Sequence, residues 1–129
     1  MKNIDEITDK LGLPIDNNIK YAVKCFNDAG FETCASCEGH FHAWGLPHPW
    51  IHFNEWGHYR KLSSLIDEFY LTKDKPDYYI RIIKYANFYS VQTSPYLKGE
   101  IESFVRDIDL LEKSRKEMDD FATFLLRNK

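Results

Sequence analysis

Apolar residues recur at helical spacing near the start of the chain, over residues 4–11 and again over residues 19–26. Gly12 ends the first run. Asp16, a favoured N-cap residue, precedes the second run, and Gly30 follows it at a position that favours a left-handed residue. The pattern therefore predicts two short helices, one after the other, at the beginning of the chain.

Four β-rich stretches follow, over residues 31–37, 49–56, 78–85 and 88–93. Ala86 and Asn87 separate the last two and predict a tight hairpin. Between the second and third stretches, apolar residues at helical spacing over residues 59–69 predict a helix, with Asn54 placed to cap it. The pattern thus predicts two pairs of strands with a helix between the pairs.

The chain ends in an apolar seam with a period near 3.5, from Ile101 to Leu125. Unbroken, the roughly thirty residues of the segment that follows Pro95 would form a helix about 45 Å long, which is more than a small domain can cover. The seam is interrupted by Ser114 and Arg115. We therefore expect either two helices that break near residues 112–116 or one helix whose far end packs on a partner chain, as in a homodimer.

These elements predict a single α+β domain over residues 1–129. The expected architecture has two layers, with a four-stranded, mostly antiparallel sheet and helices on one side, in the order α-α-β-β-α-β-β-α. A chain of 129 residues is the size of one ordinary domain, and 43% hydrophobic residues are enough to form its core.

The composition argues against some classes of protein function but does not identify one. The net charge of −3 and the pI near 5.9 do not indicate nucleic-acid binding, which is usually marked by a basic face. No apolar run approaches the roughly 20 residues of a membrane span, and the acidic N-terminus does not resemble a signal peptide. Three cysteines, an odd number, favour free thiols in a reducing cytoplasm.

One stretch, FETCASCEGHFHAWGLPHPWIHF, contains two of the three cysteines and four of the five histidines. Thiolate and imidazole are ligands that zinc prefers, so a metal site is one hypothesis. Cys34 and Cys37 would point to opposite faces of a strand. Cys37, His40 and His52 therefore form a better predicted ligand set than the complete CxxC pair.

A second hypothesis is a polar site for a small molecule, with or without catalysis. An imidazole at His40 could activate the Cys37 thiol as a nucleophile, and Gly39 between them permits a sharp turn. Further candidate ligand-binding residues are Glu38 beside that glycine, His52 and Trp50 on one face of the next strand, and Arg81 in a later strand. The pattern leaves open whether the chain is an enzyme.

The same residues also have a structural interpretation. Cys34 and Cys25 suit a core, and His42, His48 and His58 stand among prolines and tryptophans where a packed histidine is common. The acidic net charge, the small size and the long C-terminal helix would also suit an inhibitor-type interaction protein without catalysis.

The helix, glycine, short strand, Ser-Cys-x-Gly-His and Pro-aromatic-Ile-x-Phe over residues 21–53 resemble small bacterial proteins that share an S-C-x-G-H motif. This resemblance brings no known activity to the chain. The Ser-Cys-x-Gly part is also loosely similar to the S-C-S-G-R motif of the wybutosine-synthesis methyltransferase-like family, which has arginine where this chain has His40.

Overall fold

The computed structural model describes residues 15–39, 48–74, 78–95 and 108–128. The helix predicted over residues 4–11 lies outside this part of the chain. The elements, in order, are α1 (Lys20–Asp28), β1 (Ala35–Cys37), β2 (Trp50–Phe53), α2 (Tyr59–Leu71), β3 (Tyr78–Lys84), β4 (Tyr89–Pro95) and α3 (Ile108–Arg127). Single 3₁₀ turns, Asn17–Ile19 and Trp56–His58, lead into α1 and α2.

The predicted α+β class is confirmed. The four strands form one antiparallel sheet in the order β1-β2-β4-β3. The hairpin at Ala86 and Asn87 is also confirmed, because the Tyr85 N–H donates to the Phe88 carbonyl (2.8 Å) across these two residues. The order of helices and strands within the described residues matches the predicted order.

The three helices of the described residues pack on one face of the sheet. Ile51 and Phe53 of β2 alternate with half-exposed residues, and both side chains are buried towards the helices. Phe53 contacts Phe26 of α1 (5.5 Å between ring centroids) and Tyr89 of β4 (5.2 Å). The period-two alternation of the strands therefore divides the sheet into a helix-covered face and a second face.

Helix α1 follows the predicted pattern closely. Its apolar side chains, including Phe26, are buried, and so is Cys25, which was expected to be a small core residue. Gly30 has a φ of +96°, and the Phe31 N–H returns to the Phe26 carbonyl (2.8 Å). This is the hydrogen-bond pattern of a helix that ends at a left-handed glycine.

The first strand is shorter than predicted, because β1 begins at Ala35 rather than at residue 31. Asn27 at the end of α1 donates to the Val23 carbonyl and to Thr33 Oγ1, and it accepts the Thr33 N–H. These bonds hold the chain beside the helix before it reaches the sheet. A side-chain tether of this kind leaves no hydrophobic pattern in the sequence.

The predicted cap at Asn54 is wrong. Glu55 occupies the N-cap position of the Trp56–His58 turn, and His58 occupies that of α2, in both cases without a capping hydrogen bond from the side chain. The apolar pattern locates the helix correctly, but the 3₁₀ turn separates the beginning of α2 at Tyr59 from Asn54, so Asn54 lies too far upstream to be its N-cap.

The C-terminal helix runs unbroken from Ile108 to Arg127, so the predicted break near residues 112–116 is wrong. Ser114 is buried in the chain, and Arg115 reaches across to the end of β1. Met118, Phe121 and Leu125 are fully buried within the same chain. Packing of this helix on a partner remains a prediction, and no described helix is both long and apolar enough for a membrane crossing.

Candidate functional site

Most of the predicted site residues lie on the second face of the sheet. Cys37 is opposite Trp50, Trp50 is opposite Gln92, and Gln92 is opposite Arg81. Directly opposed residues on antiparallel strands point to the same face, so these residues form one row across all four strands. His52 lies on the same face one step along β2 and is opposite Ser90.

Aromatic rings cover the middle of this face. His52 stacks on Trp50 with ring centroids 4.0 Å apart and also contacts Phe88 at 4.7 Å. Phe88 in turn stacks on Tyr85, whose side chain is exposed. Burial lowers the pKa of His52 to about 4, so this imidazole is neutral at neutral pH and belongs to the aromatic surface.

A buried polar network lies beside these rings. His48 Nε2 is 3.0 Å from Gln92 Oε1, and the Gln92 amide nitrogen donates to Ser90 Oγ (3.1 Å) and contacts the Tyr85 hydroxyl oxygen (3.5 Å). In this orientation of the Gln92 amide, Oε1 faces the imidazole and accepts the hydrogen bond from His48. His48 therefore carries its proton on Nε2.

That tautomer leaves Nδ1 of His48 as a hydrogen-bond acceptor. The side chain is only 9% exposed, and Nδ1 is buried without a hydrogen-bond partner among the residues that the structure describes. Burial lowers the pKa of His48 and the nearby Arg81 charge lowers it further, whereas the hydrogen bond to Gln92 opposes this shift. His48 therefore remains neutral, and Nδ1 keeps its lone pair.

Arg81 ends the row on the edge strand. Its side chain is exposed, as expected for an outward-pointing arginine on a half-solvated sheet. It places a permanent positive charge at the margin of the His48 network, close enough to affect the pKa of that imidazole. An anion bound at this margin would meet a guanidinium that is already in position.

Cys37 stands at the other end of the row as a free thiol. Burial raises its pKa, the Asp16 and Glu38 charges raise it further, and the Gly39 N–H, 3.4 Å from Sγ, lowers it. The described surroundings thus keep the thiol protonated and do not activate it. His40, its predicted partner, lies outside the described residues, so a nucleophilic role for Cys37 remains a prediction.

Glu38 and Gly39 are held by α3 instead of facing the aromatic rings. Arg115 donates to the carbonyl oxygens of Glu38 (2.9 Å) and Gly39 (3.0 Å) and forms an ion pair with the Glu38 carboxylate (3.2 Å). Asn18 also donates to that carboxylate. These contacts give both residues a structural role, and their predicted ligand contacts remain untested.

The predicted metal site rests on Cys37, His40 and His52. Within residues 15–39, 48–74, 78–95 and 108–128, no three His, Cys, Asp or Glu side chains are grouped as a metal ion would require. His52 is engaged by aromatic rings, and Cys37 is opposite Trp50 rather than opposite His52. Zinc binding therefore stays a hypothesis that depends on residues outside the described part of the chain.

Sequence reasoning missed the centre of this face, which is Gln92. The available signal was a long polar amide between Val91 and Thr93, two β-branched residues that favour a strand. The sequence favours a packing role for His48, and the side chain is indeed buried, but it also makes a specific hydrogen bond to Gln92. Comparison of the chain with models of known protein families, with curated proteins and with solved structures gave no match.

Proposed function

We propose that the second face of the sheet binds a small planar anion that also carries an N–H or O–H donor. The observation that supports this proposal is the buried, unpartnered Nδ1 of His48 in the described structure. A buried acceptor without a donor costs free energy of about 1–3 kcal/mol, which a bound donor would recover. A ligand supplying that donor would therefore stabilise the folded protein.

Two neighbouring features narrow the ligand class. The exposed Arg81 favours a carboxylate or a phosphate at the margin of the network, because a guanidinium binds either one in a bidentate manner. The aromatic rings of Trp50 and Tyr85 favour a planar, partly apolar body. The raised pKa of Cys37 supports binding rather than thiolate chemistry, so we assign no reaction.

A matched pair of probes tests the role of the donor. Indole carboxylate has a ring N–H beside its acid, whereas benzofuran carboxylate has the same shape with an oxygen there. We expect the indole acid to bind at least about tenfold more tightly, which corresponds to about 1.4 kcal/mol for one satisfied hydrogen bond. Amide NMR titration should show shifts of the Gln92 side-chain resonances with both acids.

Variants of Arg81 and His48 separate the contribution of the anion contact from that of the donor contact. Arg81→Gln should weaken both acids, and Lys84→Gln, which removes an exposed cation from the same strand but from its opposite face, should weaken neither. His48→Phe should abolish the preference for indole. If neither acid shifts the Gln92 resonances at millimolar concentration, the proposed ligand class is wrong.

A further inference from the structure

The outer edge of β3 presents backbone groups that point away from the sheet. β3 pairs with β4 on one side, and on the other side the Ile80 N–H donates to the Tyr70 hydroxyl (2.7 Å). In an antiparallel strand the groups of alternate residues point the same way, so those of Ile82 and Lys84 face outward like those of Ile80. This edge is thus oriented to accept hydrogen bonds from another strand.

A groove runs along this edge between β3 and α2. It encloses about 450 Å³ and is lined by Ile66, Asp67 and Leu71 on the helix side and by residues 79–82 on the strand side. Tyr70 closes the groove at Ile80, and the part beside Ile82 lies beyond that contact. Leu71 is 81% exposed, which is unusual for a leucine that faces a cavity.

The charges on β3 indicate which kind of partner strand its outer edge would bind. β3 carries Arg81 and Lys84 and no acidic residue. Antiparallel pairing of two copies around Ile82 would bring the two Arg81 side chains into diagonal positions without any compensating acid, which is unfavourable. The edge therefore suits an extended partner that supplies negative charge.

We propose that an extended peptide with alternating acidic and apolar side chains adds to β3 as a fifth strand. Its apolar side chains lie in the groove against Ile66 and Leu71, on the same face as Ile82. Its acidic side chains lie on the other face beside Arg81. Asp67 inside the groove repels acids there, so the alternation fixes which side of the peptide faces the helix.

The probe is a synthetic heptapeptide of alternating valine and glutamate with blocked ends. We expect binding with a dissociation constant below about 1 mM, with NMR shifts confined to β3 and α2. The same peptide with lysine in place of glutamate should not bind. If the glutamate peptide causes no shifts, or if the lysine peptide binds equally well, the proposal is overturned.

Backbone pairing is tested by N-methylation. Only alternate amides of an added strand point towards β3, so methylation of the valine amides and methylation of the glutamate amides must have different effects. Loss of binding in one of these peptides supports strand addition and also reports the strand direction. Retention of binding in both excludes strand addition.

Two variants of α2 locate the peptide. Leu71→Asp places an acid in the groove and should weaken the glutamate peptide by at least about tenfold. Ser64→Asp adds the same charge at an exposed position of α2 that does not line the groove, and it should have no effect. Equal effects of the two variants, or β3 shifts that follow protein concentration without peptide, would overturn the proposed occupant.

Discussion

At the scale of single residues, Gly39 needs to be glycine for two separate reasons. Its φ is +89°, and an added Cβ would lie 2.8 Å from both the backbone carbon of His48 and Cδ1 of Leu111. We expect Gly39→Ala to lower the free energy of unfolding by about 2–4 kcal/mol, because strain and steric overlap add. Urea denaturation measures this loss.

Gly30 provides the matched control for this prediction. Its φ of +96° is similar, but an added Cβ would meet nothing within 4 Å. Gly30→Ala should therefore cost only the conformational part, about 1 kcal/mol. Equal costs for the two variants would mean that the packing between Gly39, His48 and Leu111 gives way easily.

Asp119 makes stability depend on pH. Its pKa is raised from 3.8 to about 6, mainly by burial and also by the nearby Asp120 charge, whereas the Lys116 charge opposes the shift. The folded protein therefore holds a proton that the unfolded chain releases between these two pH values. Its contribution to stability is present at low pH and is lost as pH rises through this window.

Asp119→Asn should remove this loss. At pH 7 we expect the free energy of unfolding to increase by about 1 kcal/mol, a value reduced from the full shift because the side chain is only half buried. At pH 4 the gain should disappear. Thermal melts at both pH values test this, with Asp120→Asn as a control that should not stabilise, because Asp120 pairs with Lys116 and Lys73.

At the scale of elements, the sequence predicts the helices and strands whose apolar residues recur at a regular spacing. The apolar stripe of α1 and the alternation in β2 are periodic signals, and both elements form where the pattern indicates. Alternation also correctly put Trp50 and His52 on one face. Contacts across the fold, such as Asn27 with Thr33, leave no such signal, which is why β1 was predicted too long.

The same limit applies to the candidate site. Spacing could group Cys37 with its neighbours in sequence, but only the strand register brings Cys37, Trp50, Gln92 and Arg81 into one row. The β2–β4 pairing skips an intervening strand, and a local pattern does not contain that information. Gln92 was therefore overlooked, although it is the central residue of the polar network.

Arg115 connects two elements that are far apart in sequence, α3 and the end of β1. It donates to two backbone carbonyls and pairs with the Glu38 carboxylate, and both side chains are largely buried. A lysine cannot reproduce this planar fork. We expect Arg115→Lys to lower the free energy of unfolding by about 1–2 kcal/mol and Arg115→Ala by about 2–4 kcal/mol, measured by urea denaturation.

Lys113→Ala is the control for the arginine variants. Lys113 is exposed on the same helix, so its truncation should change stability by less than about 0.5 kcal/mol. If Arg115→Lys were as stable as the unmodified protein, a single positive charge would be enough and the fork geometry would be unimportant.

At the scale of the whole molecule, the two faces of the sheet have different roles. One face and the three described helices form a continuous core, in which Phe121 of α3 contacts Phe26 of α1 (5.8 Å between ring centroids) and Phe69 of α2 (5.4 Å). Among the described residues, the other face has an aromatic surface and the His48 network where the first face has its helix layer. The chain can therefore carry a polar site without interrupting its core.

This architecture predicts a single cooperative unfolding transition, and Phe121→Ala tests it. Phe121 is fully buried where the three helices meet, so its truncation should cost about 3–5 kcal/mol, a large part of the 5–15 kcal/mol typical of a domain. The transitions measured by tryptophan fluorescence, to which Trp50 and Trp56 near the sheet contribute together with Trp44 outside the described residues, and by far-UV circular dichroism of the helices should shift together. Phe124→Ala, at a half-buried ring of the same cluster, should cost less. Separate transitions for fluorescence and circular dichroism would show that the helices and the sheet fold independently, contrary to a shared core.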